Sequence, residues 1–157
     1  MATTNLSDYD KSIVSNAENL KFGLVVSEWN TSITENLFQG AKATLLDNGA
    51  TEKNITRLNV PGSYELIYGS KHLLKQGQFD ALIAIGCVIQ GETKHFDFVC
   101  DAVSQGIKDL NIQYDIPTIF CVLTDNTLQQ SIDRSGGKHG NKGVECAVAA
   151  IKMATLA

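Results

Sequence analysis

Strand-like segments that alternate with helical patterns constrain this chain more than any other feature. Phe22-Gly23-Leu24-Val25-Val26 is a short, uninterrupted apolar run, as is Ile119-Phe120-Cys121-Val122-Leu123. Asp80-Ala81-Leu82-Ile83-Ala84-Ile85 opens a longer run that continues to Ile89, and residues 55–60 make a further strand stopped by Pro61-Gly62. Runs this short and this apolar predict strands covered on both faces.

Between them the period changes. Ile33, Leu37, Ala41 and Leu45 recur at helical spacing, and Asn48-Gly49 ends that helix. Leu66 and Leu73 share one face of a second helix, which stops near Gly77. Phe96, Val99, Val103, Ile107 and Leu110 form a third helical stripe. Leu128 and Ile132 mark a short helix broken by Gly136-Gly137, and Val144, Val148, Ile151 and Thr155 mark the last one. Alternating strands and helices predict an α/β chain with a parallel sheet between two helical layers. At 157 residues the chain suits a single domain (1–157), with residues 1–20 as an arm that could add an edge strand to a neighbouring subunit.

Composition excludes several classes. A net charge of −4 with no basic block argues against nucleic acid or a membrane surface as partner. No apolar run is long enough to span a bilayer. The first residues are polar and acidic, without the pattern of a secretory leader, so a cytoplasmic location is expected. Cys87, Cys100, Cys121 and Cys146 stand apart, without metal-ligand spacing, and read as small core residues of a reducing compartment; no metal is expected.

In a parallel sheet of this kind ligands sit beyond the carboxyl ends of the strands. That directs attention to residues 27–31, 61–65, 89–95 and 123–134. Gly86-Cys87-Val88-Ile89-Gln90-Gly91-Glu92-Thr93-Lys94-His95 runs from a strand through a glycine turn into a helix, read as beginning at Gly91 with Glu92 and Thr93 at its cap. Free amides at a helix start suit an anion. His95, in the first turn, could move a proton beside it; on spacing alone a helix-start histidine that merely caps or faces solvent is the somewhat better reading. Arg134, one of the chain's few arginines, has a planar fork that suits phosphate, and also fits as a solvated helix end. Lys138 and Lys142 flank the glycine-rich turn, where they could add positive potential or be merely solvated. Trp29, the only tryptophan, lies in the polar loop Ser27-Glu28-Trp29-Asn30, where a ring can stack on a heterocycle. Ser63, Tyr64 and Glu65 could read a polyol or a pyrimidine edge, or serve as a serine-capped helix start with an acidic first turn. Phe120 could stack or pack in the core.

Taken together these segments resemble the lumazine synthase family. The pieces are Ser27-Glu28-Trp29-Asn30, Val60-Pro61-Gly62-Ser63-Tyr64-Glu65, the segment from Gly86 through His95-Phe96-Asp97, Phe120-Cys121-Val122-Leu123-Thr124, and Asp133-Arg134 through Gly140-Asn141-Lys142-Gly143. They fall in the family's order from about Phe22 to the C-terminus, and the segment ending in His95-Phe96-Asp97 is the most specific of them. Trp29 stands where phenylalanine is more usual.

The resemblance implies a three-layer α/β/α sandwich with a flavodoxin-like parallel sheet. It implies that 5-amino-6-(D-ribitylamino)uracil condenses with 3,4-dihydroxy-2-butanone 4-phosphate, without a cofactor. It implies Trp29 as the ring that stacks on the aminouracil, with Ser63, Tyr64 and Glu65 holding the pyrimidine and ribityl chain. Cys87, Val88 and Ile89 then line the same pocket, Glu92 and Thr93 bind the butanone phosphate, and His95 transfers protons. Phe120 and Arg134 are implied to reach the site from an adjacent subunit, as second stacking ring and phosphate ligand, with Lys142 as an accessory cation. Pentamers are implied, and the uninterrupted turn 136–143 points to the 60-subunit shell, with a riboflavin synthase as a partner. A related riboflavin synthase, or a non-catalytic shell protein on the same fold, are the rival readings.

Overall fold

The computed structural model describes residues 5–156. Strands β1 (Phe22–Ser27), β2 (Ile55–Val60), β3 (Ala81–Ile89) and β4 (Thr118–Asp125) form one parallel sheet in the order β2-β1-β3-β4. Helices α1 (Thr31–Asp47), α2 (Leu66–Leu74), α3 (His95–Gln113), α4 (Leu128–Arg134) and α5 (Lys142–Ala154) follow the strands. A small antiparallel hairpin, β5 (Ser135–Gly137) with β6 (Gly140–Asn141), joins α4 to α5. The expected three-layer α/β/α architecture with a flavodoxin-like strand order is what the chain adopts.

Side chains alternate across the sheet and so divide into two cores. Phe22, Leu24 and Val26 of β1 and Ile83, Ile85 and Cys87 of β3 pack with Leu37, Leu45 and Ile151 from α1 and α5. Val25, Leu82, Ala84 and Val122 point the other way and pack with Leu66, Leu73, Val103 and Ile107 from α2 and α3. Burial on both faces is why the strands read as continuous apolar runs. Each such Leu, Ile or Phe contributes about 1.5–3 kcal/mol of burial free energy.

The last helix departs from expectation in part. Val148 and Ile151 are buried as expected, but Val144 is only half-buried, and the rest of the inward face is carried by Gly143, Cys146, Ala147 and Ala150. These small residues let α5 approach α1 closely. A side chain at Gly143 would run into the Leu37 carbonyl, and one at Gly40 would meet the Asn141 amide at 2.6 Å. In α3 the stripe is buried at Val103, Ile107 and Leu110, whereas Phe96 and Val99 are half-buried near the strand ends. Leu128 and Ile132 of α4 are exposed, and Ser131 is the residue that helix buries.

The arm packs along the outside. Leu6 N–H donates to the His139 carbonyl (3.2 Å), and Ala17 N–H to the Asn48 carbonyl (2.9 Å). The Asn48 amide donates to the Tyr9 hydroxyl at 2.9 Å. Residues 1–4 of the predicted arm lie outside the described residues. On the rim of α1, Arg57 pairs with Glu35 (2.9 Å) and lies over the Phe38 ring, 4.2 Å from its centre. At the amino end of the sheet, the turn after α2 passes through Gly77 at φ +66°, with nothing within 4 Å of where a side chain would stand. Among the described residues no helix is long and apolar enough to cross a membrane.

Candidate active site

The strand order reverses direction of travel between β1 and β3. From β1 the chain crosses to β2 over one face, and from β3 it crosses to β4 over the other. Connections that diverge in this way leave a crevice at the carboxyl ends of the strands. The crevice is a cleft of about 410 Å³ lined by Trp29, Asn30, Ser63, Tyr64, Glu65, Cys87, Val88, Ile89, His95 and Val99. That volume suits a small organic ligand.

Local chemistry builds each wall. Beyond β1, Glu28 N–H donates to the Val60 carbonyl (2.8 Å) and Trp29 N–H to the Pro61 carbonyl (3.1 Å), so the β1 and β2 ends are zipped together. Asn30 then turns the chain into α1 through a left-handed conformation, φ 59°. Its side-chain amide donates to the Cys87 carbonyl at 3.1 Å, tying this loop to the end of β3. The indole of Trp29 is 67% exposed, so most of its surface is open to a ligand.

Beyond β2, Glu65 caps α2, and its carboxylate accepts Gly62 N–H at 3.0 Å. The serine-capped start with an acidic first turn read from the sequence is not what forms: the capping position is Glu65 rather than Ser63, and the first turn of α2 holds no acidic residue. Ser63 is buried, and its hydroxyl points to the Cys87 carbonyl at 3.5 Å; Gly86 makes room for it, since a side chain there would sit 2.6 Å from that hydroxyl. Tyr64 is exposed.

Beyond β3 the structure corrects one expectation. The helix does not begin at Gly91: residues 91–94 form a bend, and α3 starts at His95 with Lys94 as its capping residue. Glu92 and Thr93 are exposed in this bend, and the Thr93 hydroxyl accepts His95 N–H at 3.3 Å. Sequence periodicity cannot separate a polar bend from a polar first turn. His95 therefore occupies the first helical position, at the rim of the cleft.

Cys87 belongs to a buried polar chain. Its thiol contacts the Ser131 hydroxyl at 3.4 Å, and that hydroxyl donates to the Asp125 carboxylate at 2.7 Å. Burial pushes the Cys87 thiol above its ordinary range, against the opposing effect of the Ser131 hydrogen bond. Cys87 thus acts as neutral, apolar lining. All the cysteines are free.

Five residues singled out by resemblance do not line this cleft: Glu92 and Thr93 in the bend before α3, and Phe120, Arg134 and Lys142. Phe120 is half-buried against the α2–α3 core. Arg134, at the end of α4, donates to the His139 carbonyl at 2.9 Å and pairs with Glu145 at 2.7 Å. Lys142 joins the same carboxylate at 3.2 Å. The cation cluster is thus built around Glu145 beside the hairpin. Conversely, Asn30 and Val99 line the cleft without having been singled out. Asn30 lies next to Trp29 in the same motif, and Val99 is one helical turn after His95, so spacing from His95 was the usable signal.

Comparison with known proteins bears on this geometry. A family model described as 6,7-dimethyl-8-ribityllumazine synthase matches residues 19–157. Proteins of that name from Flavobacterium johnsoniae and Christiangramia forsetii are 65% and 64% identical over 99% of this chain, covering 83% and 95% of their own lengths. One from Phocaeicola vulgatus is 57% identical over 98% of this chain and 92% of its own.

Proposed function

The chain belongs to the 6,7-dimethyl-8-ribityllumazine synthase family, and from that premise we propose that the cleft beside His95 is where its reaction takes place. That reaction condenses 5-amino-6-(D-ribitylamino)uracil with 3,4-dihydroxy-2-butanone 4-phosphate. Phosphate and water leave, and 6,7-dimethyl-8-ribityllumazine forms, in the penultimate step of riboflavin biosynthesis.

One observation carries the assignment: an exposed indole, a hydroxyl- and carboxylate-bearing turn, an apolar strand end and an imidazole share a single cleft. The indole of Trp29 offers a stacking surface for the pyrimidine. Cys87, Val88 and Ile89 give the cleft an apolar back wall. Glu65 uses one oxygen on Gly62 N–H, which leaves the other for a donor on the substrate, beside Ser63 and Tyr64. His95 stands at the mouth, where it accepts a proton from the condensing amine and returns one as phosphate departs. The bend at Glu92 and Thr93 supplies backbone and hydroxyl donors for the butanone phosphate.

Phe120 and Arg134 complete the site from the adjacent subunit in this reading, with Lys142 as accessory cation. Their distance from the cleft of their own chain accords with that. The reading includes a pentamer closing into a 60-subunit shell in the cytoplasm, a riboflavin synthase as partner, and residues 1–20 as an arm between subunits of a single-domain chain. Neither nucleic acid nor membrane has a place in it. Holding two substrates in register supplies on the order of 7–11 kcal/mol in favourable cases, more than proton transfer adds.

The direct test is incubation with both substrates while lumazine fluorescence is followed. Appearance of the product supports the assignment, and its absence from folded protein would end it. Light scattering of the native particle tests the shell.

A further inference from the structure

Trp29 and Gly62 share a space that only one of them can fill. A side chain built on Gly62 would meet the indole at 2.5 Å (Cε3) and 2.6 Å (Cζ3), and the Glu65 carboxylate at 3.0 Å. The first two separations are shorter than ordinary packing allows. Gly62 is not among the residues with positive φ, so its backbone accepts alanine, and the conflict lies with the neighbours alone. The two loops cannot separate to relieve it, because Glu28 and Trp29 amides are bonded to the Val60 and Pro61 carbonyls. The indole would have to rotate.

We propose that Gly62 is a positioning residue for pyrimidine binding: by lacking a side chain it seats the benzo edge of Trp29 against the backbone and so presents the remaining indole surface to the cleft. The same vacancy lets Glu65 fold back onto Gly62 N–H at 3.0 Å. One glycine therefore sets the pose of both groups that face the heterocycle. The size of the ring at position 29 and the absence of a side chain at position 62 form a matched pair.

The inference rests on the stacking role proposed for Trp29, and the experiment separates the two. Gly62→Ala is expected to raise KM for the ribitylaminouracil roughly three- to tenfold, the range set by loss of an aromatic stack. KM for the butanone phosphate should stay unchanged. As Trp29 is the chain's only tryptophan, its emission spectrum should shift in the same variant. In a Trp29→Phe background the ring lacks the fused benzo edge, and Gly62→Ala should then have little effect. An equal effect in both backgrounds, or an unchanged pyrimidine KM beside a raised one in Trp29→Ala, would overturn the inference. An unchanged KM in Trp29→Ala would instead overturn the stacking role itself. If Gly62→Ala fails to fold, folding of the Trp29→Phe, Gly62→Ala double variant supports the shared space, and failure of both refutes it.

Discussion

Arg134 and Glu145 are joined at 2.7 Å across the junction of α4 and α5, with side chains only 17% and 24% exposed. The pair holds the guanidinium in one pose, and the His139 carbonyl fixes its second edge. Glu145→Ala should release that pose. We expect a stability loss of about 1.5 kcal/mol, the low end for a hydrogen bond to a charged group, because both side chains retain some water contact. The urea midpoint should fall at unchanged m-value. KM for the butanone phosphate should rise alongside it, as it should in Arg134→Ala. An Arg134→Ala enzyme with an unaltered KM for that substrate would remove Arg134 from the site.

His95 stands at the first position of α3 and lines the cleft rim. In the proposed site, replacing it by alanine leaves the indole of Trp29 and the donors assigned to the phosphate in place. Turnover should therefore drop by ~10²–10⁴-fold without vanishing, the share that a positioned proton carrier supplies. Steady-state kinetics with saturating substrates would show it. Full activity in His95→Ala would refute the proton-transfer role.

The close approach of α5 to α1 makes Gly143 sensitive for a different reason. A methyl group there collides with the backbone carbonyl of Leu37, which cannot swing aside as a side chain could. Gly143→Ala should cost about 1–3 kcal/mol, as for an overpacked core. A melting temperature equal to that of the parent would show that the helices can part more easily than their packing implies.

Much of the fold was legible because apolar periodicity is a direct imprint of burial. The runs at 22–26, 80–89 and 119–123 became the strands β1, β3 and β4; β1 and β4 extend a few residues further, and β3 starts one residue later. The inner face of α5 was harder to see. Val148 and Ile151 were legible as apolar positions, but Gly143, Cys146, Ala147 and Ala150 carry little hydrophobic signal, and Val144 is less buried than its side chain suggests. The start of α3 was misplaced because a polar bend and a polar first turn look alike in composition. At the site, most residues of the cleft could be named through the resemblance of their motifs, but Asn30 and Val99 could not. The matched fit of Trp29 and Gly62 could not, since it depends on an atom that is absent and on loops far apart along the chain from most of their partners.

Acid stability should depend on Glu35. The Arg57 hydrogen bond, then that from Gln39, holds the Glu35 carboxyl below its ordinary value. A group with a depressed folded pKa binds its proton less readily when folded than when unfolded. Its contribution is present at neutral pH and is lost as pH falls from the ordinary glutamate value through the lowered one. Glu35→Gln should thus narrow the difference in urea midpoint between pH 7 and pH 3. An identical pH profile in parent and variant would mean the pair contributes nothing, as exposed pairs often do.

The turn at Gly77 lies at the far end of the sheet from the cleft, with open space around it. Extra residues inserted there would lengthen a connection whose closure cost grows slowly with length, while leaving every loop that shapes the cleft anchored to its strand. The chain is thereby separated into an end where spacing is fixed to a fraction of an ångström and an end that tolerates grafts. A foreign peptide spliced between Gln76 and Gln78 would be carried outward on a scaffold whose chemistry does not register its presence.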